Sequence, residues 1–256
     1  MDPSRFAADP LLADYAPLAE GPARMLVRRG YEAHAALLGL RGTPAADGGW
    51  AGGGREPHPV VVLPGGELAV VRAFRRGGAV RHLNRGRYFL GHRAWEELRA
   101  AEAARRGGVR TPLPLAATER RAALGYTAWL ATLRVAEARD AAAWLGTAEP
   151  AQREAMLREA GTQVGRMHAA GVAHPDLNLR NLLVREAGDG APEVLLLDWD
   201  RARVHAGPVP GRRRARDLRR LARSVRKLGS PIDAEGWAAF REGYGAGWPL
   251  PGGFLP

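Results

Sequence analysis

The sequence predicts an α+β fold, with β-strands mainly in the first half of the chain and helices mainly in the second. Two short apolar runs in the first half flank the turn Pro64-Gly65-Gly66, a pattern typical of a β-hairpin. The second half contains longer segments with apolar residues every three to four positions. The chain has 256 residues, of which 46% are hydrophobic, so it can bury the core of one large domain or two lobes.

The N-terminal 40 residues are predicted to form one or two short helices, because Leu11, Leu12, Tyr15 and Leu18 recur at helical spacing. Residues 41–59 are rich in Gly and Pro and predict a loop. Strands are then expected over 60–63, 68–74 and 128–135, with an extended segment over 111–117. Between them, a helix is predicted over 91–106, where Gly107 and Gly108 end it.

Helices dominate the expected structure after residue 136. A long helix is predicted over 151–170, a basic helix over 212–228 and a last helix over 234–244. Two short strands are expected over 182–185 and 193–197, joined by a turn. These elements predict three parts: an N-terminal helical extension over residues 1–40, an N-lobe over 41–136 and a C-lobe over 137–256.

The formal net charge is +11, which attracts polyanions such as nucleic acid, anionic lipid or phosphorylated substrates. Lys227 is the only lysine, so a general drift towards arginine explains part of this charge. The absence of cysteine excludes disulfides, thiolate metal sites and cysteine nucleophiles. The sequence shows neither a membrane-spanning apolar stretch nor an apolar secretory signal, so we expect a cytoplasmic protein.

One segment carries polar residues at a spacing that suits phosphoryl transfer. It contains His174, Asp176, Asn178 and Asn181, and an apolar hairpin then leads to Asp198. Asp176, in a loop before a strand, could accept the proton of an acceptor hydroxyl. Asn181 and Asp198, at the two ends of the hairpin, offer the hard oxygen ligands that Mg²⁺ prefers. Phosphoryl transfer from ATP with Mg²⁺ is the predicted chemistry.

The spacing H-x-D-x-x-x-x-N, followed by an apolar strand and Asp, is typical of a bilobal protein-kinase-like fold. The third motif here reads Asp198-Trp199-Asp200. The alternative is that Asp176 and Asn178 cap a turn and that Asp198 only ends a strand, but the complete spacing favours the kinase interpretation. Asn178 is predicted as a second catalytic residue that contacts the acceptor or the γ-phosphate, and His174 is expected to orient the loop.

The N-lobe is expected to bind the nucleotide. Gly52, Gly53 and Gly54 could cover the phosphates with their backbone N–H groups, although a flexible surface loop fits these glycines equally well. Arg72 occupies the strand position at which kinases usually have lysine, and its guanidinium can pair with phosphate oxygens. Glu97 on the next helix is the predicted partner of Arg72, while Glu96 and Glu102 stay open as alternatives.

The sequence resembles the bacterial lipopolysaccharide kinase family, and within it the 3-deoxy-D-manno-octulosonic acid (Kdo) kinases. Four regions carry the resemblance: VVRAFRRGG at 70–78, WEELR at 95–99 with TPLP at 111–114, GVAHPDLNLRN at 171–181, and DLRRLARSVRK at 217–227 with the segment 237–244. Together they span most of the chain. Arg72 departs from kinases in general but agrees with this family.

The resemblance implies ATP- and Mg²⁺-dependent phosphorylation of a Kdo hydroxyl on a lipid A precursor, during assembly of the lipopolysaccharide core. It also implies an anionic, lipid-linked acceptor and peripheral contact with the cytoplasmic face of the inner membrane, which the basic charge would favour. A nucleic-acid partner is not expected. Two alternatives stay open: a kinase for another small molecule or a protein, and a non-catalytic kinase-like scaffold that binds polyanions.

Overall fold

A seven-stranded antiparallel sheet dominates the first part of the chain in the computed structural model, which describes residues 6, 8–52, 57–74, 88, 91–188 and 190–245. The strand order is β1-β2-β6-β7-β5-β4-β3. The strands are β1 Tyr15–Glu20, β2 Ala23–Arg28, β3 Trp50–Ala51, β4 His58–Val62, β5 Leu68–Ala73, β6 Pro114–Arg121 and β7 Tyr126–Leu133. Helix α1 (Arg93–Arg106) follows β5 along the chain.

The chain divides into two compact units, Met1–Glu102 with Leu113–Arg134, and Ala103–Pro112 with Val135–Pro256. In the first unit, Trp95 and Leu98 of α1 pack on Leu26 of β2 and Leu130 of β7, and all four side chains are buried. Burial of an apolar side chain of this size contributes about 1.5–3 kcal/mol. This packing fixes α1 against the sheet.

The second unit is mainly helical. Its helices are α2 Ala141–Leu145, α3 Pro150–Ala169, α4 Gly211–Leu228 and α5 Ala234–Tyr244. Its strands are β8 Arg139–Asp140, β9 Val172–Ala173, β10 Leu182–Glu186, β11 Pro192–Leu196 and β12 Arg203–Val204, and they form a sheet of order β11-β10-β8 and a β12-β9 pair. Within the described ranges, no helix combines the length and apolar character needed to cross a membrane.

Local sequence signals explain where these helices begin and end. Asp140 caps α2 by accepting a hydrogen bond from the Ala143 N–H at 3.0 Å, and Asp233 caps α5 in the same way through the Gly236 N–H at 2.8 Å. Pro150 opens α3, since the first helical position needs no N–H donor. Gly229 ends α4 with a left-handed φ of 60°, which glycine adopts at little cost.

Most elements match the sequence prediction, including the α+β class, the hairpin β4–β5, and the helices α1, α3, α4 and α5. The helical prediction for the first 40 residues is wrong over 15–28, where the structure forms the hairpin β1–β2, whereas short helical turns occur at Pro10–Leu12, Glu32–His34 and Ala36–Leu40. Gly21, at φ 52°, makes the turn between these strands. Ala23 of β2 also pairs with Arg120 of β6, a distant partner that local spacing cannot reveal. The division into an extension and two lobes stays a prediction.

Candidate active site

The hairpin β10–β11 brings Asn181 and Asp198 to the same end of a short sheet. Leu182 and Leu196 are register partners in this hairpin. One position beyond them, the Leu197 N–H donates to the Asn181 carbonyl at 2.9 Å. Asn181 therefore lies directly beside the strand end that continues into Asp198. The two residues are seventeen positions apart along the chain, and the antiparallel pairing makes them neighbours.

The loop that contains Asp176 is held together by its own asparagine side chains. The Asp176 carbonyl accepts hydrogen bonds from the Nδ2 groups of Asn178 at 2.7 Å and Asn181 at 3.0 Å. Asn178 Oδ1 also accepts from the Arg180 N–H at 3.0 Å, which caps the 3₁₀ turn Leu179–Asn181. Both polar atoms of Asn178 therefore serve the loop backbone, and its predicted contact with a substrate stays a prediction.

His174 links the loop to the segment that carries Asp198. The side chain is fully buried, and its Nε2 lies 2.9 Å from the Leu197 carbonyl. Because a carbonyl can only accept, Nε2 carries the proton and donates it. The imidazole also packs on Trp199 with ring centroids 5.3 Å apart. These contacts place His174 in the loop-orienting position that the sequence predicted.

Helix α4 supplies three further polar contacts to the loop that the sequence analysis did not identify. Buried Asp217 accepts from the His174 N–H at 2.8 Å, and Ser224 Oγ accepts from the Leu179 N–H at 3.1 Å. Arg220, between them, pairs with the Asp176 carboxylate. The sequence signal was present as polar residues at i, i+3 and i+7 among buried apolar ones, but the sequence does not show which loop the helix packs on.

Asp217 also lies close to buried residues of the neighbouring helices α3 and α5. Its carboxylate lies 3.5 Å from Nε2 of His168, and Nδ1 of the same imidazole lies 2.8 Å from the Tyr244 hydroxyl. Burial of His168 lowers its pKa, and the neighbouring Asp217 opposes this shift without overcoming it. The His168 ring lies between Asp217 of α4 and Tyr244 at the end of α5, and it hydrogen-bonds to the Tyr244 hydroxyl.

Asp198 adopts a backbone conformation that is uncommon for a residue other than glycine. Its φ is 59°, in the left-handed region, where Asp is tolerated better than most residues because its short polar side chain can bond locally. Such conformations cost about 1–3 kcal/mol and cluster at functional sites. The turn directs the chain away from β11 immediately after the hairpin has brought Asp198 beside Asn181.

A cavity of ≈ 540 Å³ opens next to these residues. Its charged lining consists of four aspartates and four arginines: Asp176, Asp198, Asp200, Asp217, Arg201, Arg203, Arg213 and Arg216. The arginines come from the segment after Asp198 and from the first turns of α4. The sequence analysis noted the basic helix but not that its first turns line the cavity that contains Asp176.

The residues at the hairpin end fit a magnesium ion. Asn181 Nδ2 is committed to the Asp176 carbonyl, which leaves its amide oxygen as the donor atom for a cation. The Asp198 carboxylate supplies a second hard oxygen from the neighbouring strand end. Mg²⁺ is commonly bound by one or two protein ligands together with phosphate oxygens and water. The donor chemistry thus matches the predicted metal pair.

In the first unit, Arg72 of β5 forms an ion pair with Glu97 of α1. The Glu97 side chain is almost fully buried, whereas that of Arg72 is 25% exposed. The other two candidate glutamates are placed elsewhere: Glu102 contacts Tyr15 and Arg28, and Glu96 is exposed. Gly52 follows β3 directly with φ 95°, while Gly53 and Gly54 lie outside the described residues.

A loop aspartate followed by an Asn–Asp pair at a hairpin end, together with a strand arginine paired to a helix glutamate, defines a protein-kinase-like phosphotransferase fold. The chain belongs to the Lipopolysaccharide kinase (Kdo/WaaP) family, whose model matches residues 63–244. The family resemblance noted in the sequence is thereby confirmed, and the chain is a member of a family of kinases.

Named relatives and a solved structure agree with this assignment. A 3-deoxy-D-manno-octulosonic acid kinase of Vibrio parahaemolyticus is 33% identical over 165 residues, covering 62% of this chain and 65% of the relative. A kinase of the same name from Xanthomonas oryzae pv. oryzae is 36% identical over 181 residues, covering 69% and 68%. The structure titled "WaaP in complex with acyl carrier protein" has a TM-score of 0.59 at 20% identity, with 87% and 84% coverage, and supports the fold.

Proposed function

We propose that the chain is an ATP-dependent kinase that phosphorylates a hydroxyl of Kdo on a lipid A precursor, in lipopolysaccharide core biosynthesis. The observation that carries this proposal is the placement of Asn181 beside the strand end that continues into Asp198, next to the loop that presents Asp176. The relatives named Kdo kinases suggest the acceptor, and the matched segment spans about two thirds of their length.

Asp176 is the proposed catalytic base. Its side chain is 48% exposed and lines the cavity, where an acceptor hydroxyl can reach it. The acceptor oxygen attacks the γ-phosphorus of ATP as the bond to the β-phosphate oxygen breaks, and the hydroxyl proton passes to the Asp176 carboxylate. A magnesium ion held by Asn181 and Asp198 would neutralise charge on the phosphates.

Arg72 is proposed to contact the ATP phosphates, with Glu97 holding its guanidinium in place. A buried carboxylate beside the arginine restricts its rotamers, and two nitrogens can engage phosphate oxygens at once. Gly52, Gly53 and Gly54 are proposed to cover the phosphates through backbone N–H groups. Asn178 is proposed to support the transfer through the loop that it caps.

The arginines of the cavity support an anionic acceptor. The cavity that contains Asp176 is lined by Arg201, Arg203, Arg213 and Arg216. A sugar acid on a lipid A precursor offers a carboxylate and phosphates, which guanidinium groups bind with paired hydrogen bonds. We further propose peripheral contact with the anionic cytoplasmic face of the inner membrane, in line with the net charge of +11.

The direct test measures transfer of radiolabelled γ-phosphate by the purified chain with Mg²⁺. Kdo-bearing lipid A precursor is compared with the same lipid lacking Kdo, a generic protein and an aminoglycoside. We expect label only on the Kdo-bearing lipid. Replacement of the base in Asp176→Asn should lower kcat about 10²–10⁴-fold, the usual contribution of a general base. The control Glu154→Gln, which changes an exposed residue of α3, should match the wild type.

Two results would redirect the proposal. Equal or faster labelling of the protein or the aminoglycoside would assign a different acceptor to the same chemistry. ATP turnover at background level with every acceptor would instead favour the non-catalytic scaffold.

A further inference from the structure

Helix α4 presents a polar stripe to the catalytic loop, formed by Asp217, Arg220 and Ser224. Positions i, i+3 and i+7 share one face of a helix, so the three side chains point in one direction. They contact three successive points of the loop: the His174 N–H, the Asp176 carboxylate and the Leu179 N–H. The polar stripe therefore holds the loop against α4 at three points.

Arg220 is the member of this stripe that touches the reactive side chain. Its Nε and Nη2 lie 3.1 and 2.6 Å from the same oxygen, Asp176 Oδ1. Among the residues that the structure describes, Asp176 Oδ2 takes part in no hydrogen bond. The contact thus occupies one carboxylate oxygen from the side and leaves the other available to a substrate.

A contribution to folding does not explain this ion pair well. The side chains of Arg220 and Asp176 are 41% and 48% exposed. Exposed ion pairs of this kind contribute little to protein stability, because water screens the two charges. By contrast, Asp217 and Ser224 on either side are buried and fix α4 against the loop backbone. Arg220 therefore extends from a helix that is anchored on either side to a carboxylate whose hydrogen bonds, among the described residues, come from Arg220.

We propose that Arg220 is a positioning residue that fixes the Asp176 carboxylate through Oδ1, so that Oδ2 faces the acceptor hydroxyl. This inference rests on the proposed kinase function, with Asp176 as the base. The arginine does not itself take a proton. It restricts the Asp176 side chain to the rotamer in which Oδ2 faces the acceptor hydroxyl. This matters because a small misplacement of a reacting group can lower the rate about 10²-fold.

The test compares Arg220→Gln, Arg220→Lys and the matched control Lys227→Gln, which removes one exposed charge from the same helix. We expect Arg220→Gln to lower kcat about 10- to 100-fold, as for a misplaced base. The KM for ATP should stay within about twofold and the Tm within about 4 °C, a small shift for a chain of this size. Arg220→Lys should be intermediate, since an ammonium keeps the charge but not the planar two-nitrogen contact.

The double variant Arg220→Gln with Asp176→Asn distinguishes a positioning role of Arg220 from other roles. If Arg220 acts through Asp176, Arg220→Gln should have almost no further effect on kcat in an Asp176→Asn background. An equal loss of kcat in both backgrounds would overturn the inference, and so would an unchanged kcat in the single variant. A loss confined to the KM for ATP would overturn it as well.

Failure of the proposed acceptor would be recognised separately. If the wild type labels no Kdo-bearing lipid, the same variants are compared in the slow hydrolysis of ATP by water, which Asp176 would also orient. A selective loss in Arg220→Gln there would support the positioning role without the acceptor assignment. The complete absence of ATP turnover in the wild type would overturn both proposals.

Discussion

At the residue scale, the loop around Asp176 is held together by side chains that hydrogen-bond to its backbone. Asn178 and Asn181 both donate to the Asp176 carbonyl, and Asp217 accepts from the His174 N–H. These backbone contacts do not involve the Asp176 carboxylate or the Asn181 amide oxygen. These hydrogen bonds explain how a short loop can hold its side chains in place with little regular secondary structure.

Glu119 on β6 should make stability depend on pH. Burial raises its pKa to about 8, and the charge of nearby Glu96 adds to the shift. Near neutral pH the protonated Glu119 can donate to Nδ1 of His92, 2.7 Å away. The folded chain therefore holds a proton that the unfolded chain releases near pH 4.5, and stability should fall as pH rises from about 4.5 through 8.

We expect Glu119→Gln to remove this dependence, because the amide is neutral at every pH. At pH 8 the variant should be more stable than the wild type by on the order of 5 kcal/mol, because the Glu119 pKa rises from 4.5 to about 8 and each pKa unit corresponds to about 1.4 kcal/mol. The free energy of unfolding is measured between pH 5 and 8.5 by urea titration with tryptophan fluorescence as the signal, and Glu154→Gln serves as the control. Parallel pH curves for the wild type and Glu119→Gln would contradict this account.

At the element scale, the close packing of α3 on α5 depends on glycine. A Cβ added at Gly161 would lie 2.1 Å from the Phe240 carbonyl oxygen, and one added at Gly165 would lie 2.4 Å from the Tyr244 carbonyl oxygen. Both neighbours are backbone atoms that cannot rotate away. The two helices can approach this closely because neither position of α3 carries a side chain.

Gly165→Ala should therefore destabilise the fold. Alanine stabilises a helix by about 1 kcal/mol relative to glycine, but overpacking against the backbone typically destabilises by about 1–3 kcal/mol. We expect the overpacking to be the larger effect. We expect a lower Tm, measured by thermal unfolding, whereas Gly188→Ala should leave the Tm unchanged because its added Cβ meets nothing within 4 Å. A Tm for Gly165→Ala at or above that of the wild type would show that the helices separate readily.

Elements with local signals could be predicted from the sequence, whereas those fixed by distant partners could not. Helix α5 was predicted at residues 234–244, where an N-cap aspartate and apolar spacing coincide. The hairpin β1–β2 was missed because Tyr15 and Leu18 fit helical spacing, whereas pairing with β6 decides their conformation. Likewise, the motif spacing predicts Asp176, Asn181 and Asp198 as site residues, but the contact of Arg220 with Asp176 joins residues 44 positions apart.

At the scale of the whole molecule, the net charge of +11 should give salt-dependent binding to anionic membranes. We expect sedimentation with vesicles of phosphatidylglycerol and phosphatidylcholine at low ionic strength, and release as salt is raised. Each arginine that faces the lipid contributes about 1 kcal/mol. Vesicles of phosphatidylcholine alone serve as the control, and equal binding to both lipids would contradict peripheral electrostatic contact.

Asn181 and Asp198 are proposed to hold a divalent cation against a nucleotide, independently of Asp176. Mn²⁺, as a spectroscopic substitute for Mg²⁺, can be titrated into the chain with a non-hydrolysable ATP analogue while electron paramagnetic resonance records unbound ion. The account predicts tight Mn²⁺ binding by the wild type and by Asp176→Asn, with strong loss in Asp198→Ala and Asn181→Ala. Undiminished Mn²⁺ binding in a folded Asp198→Ala variant would contradict it.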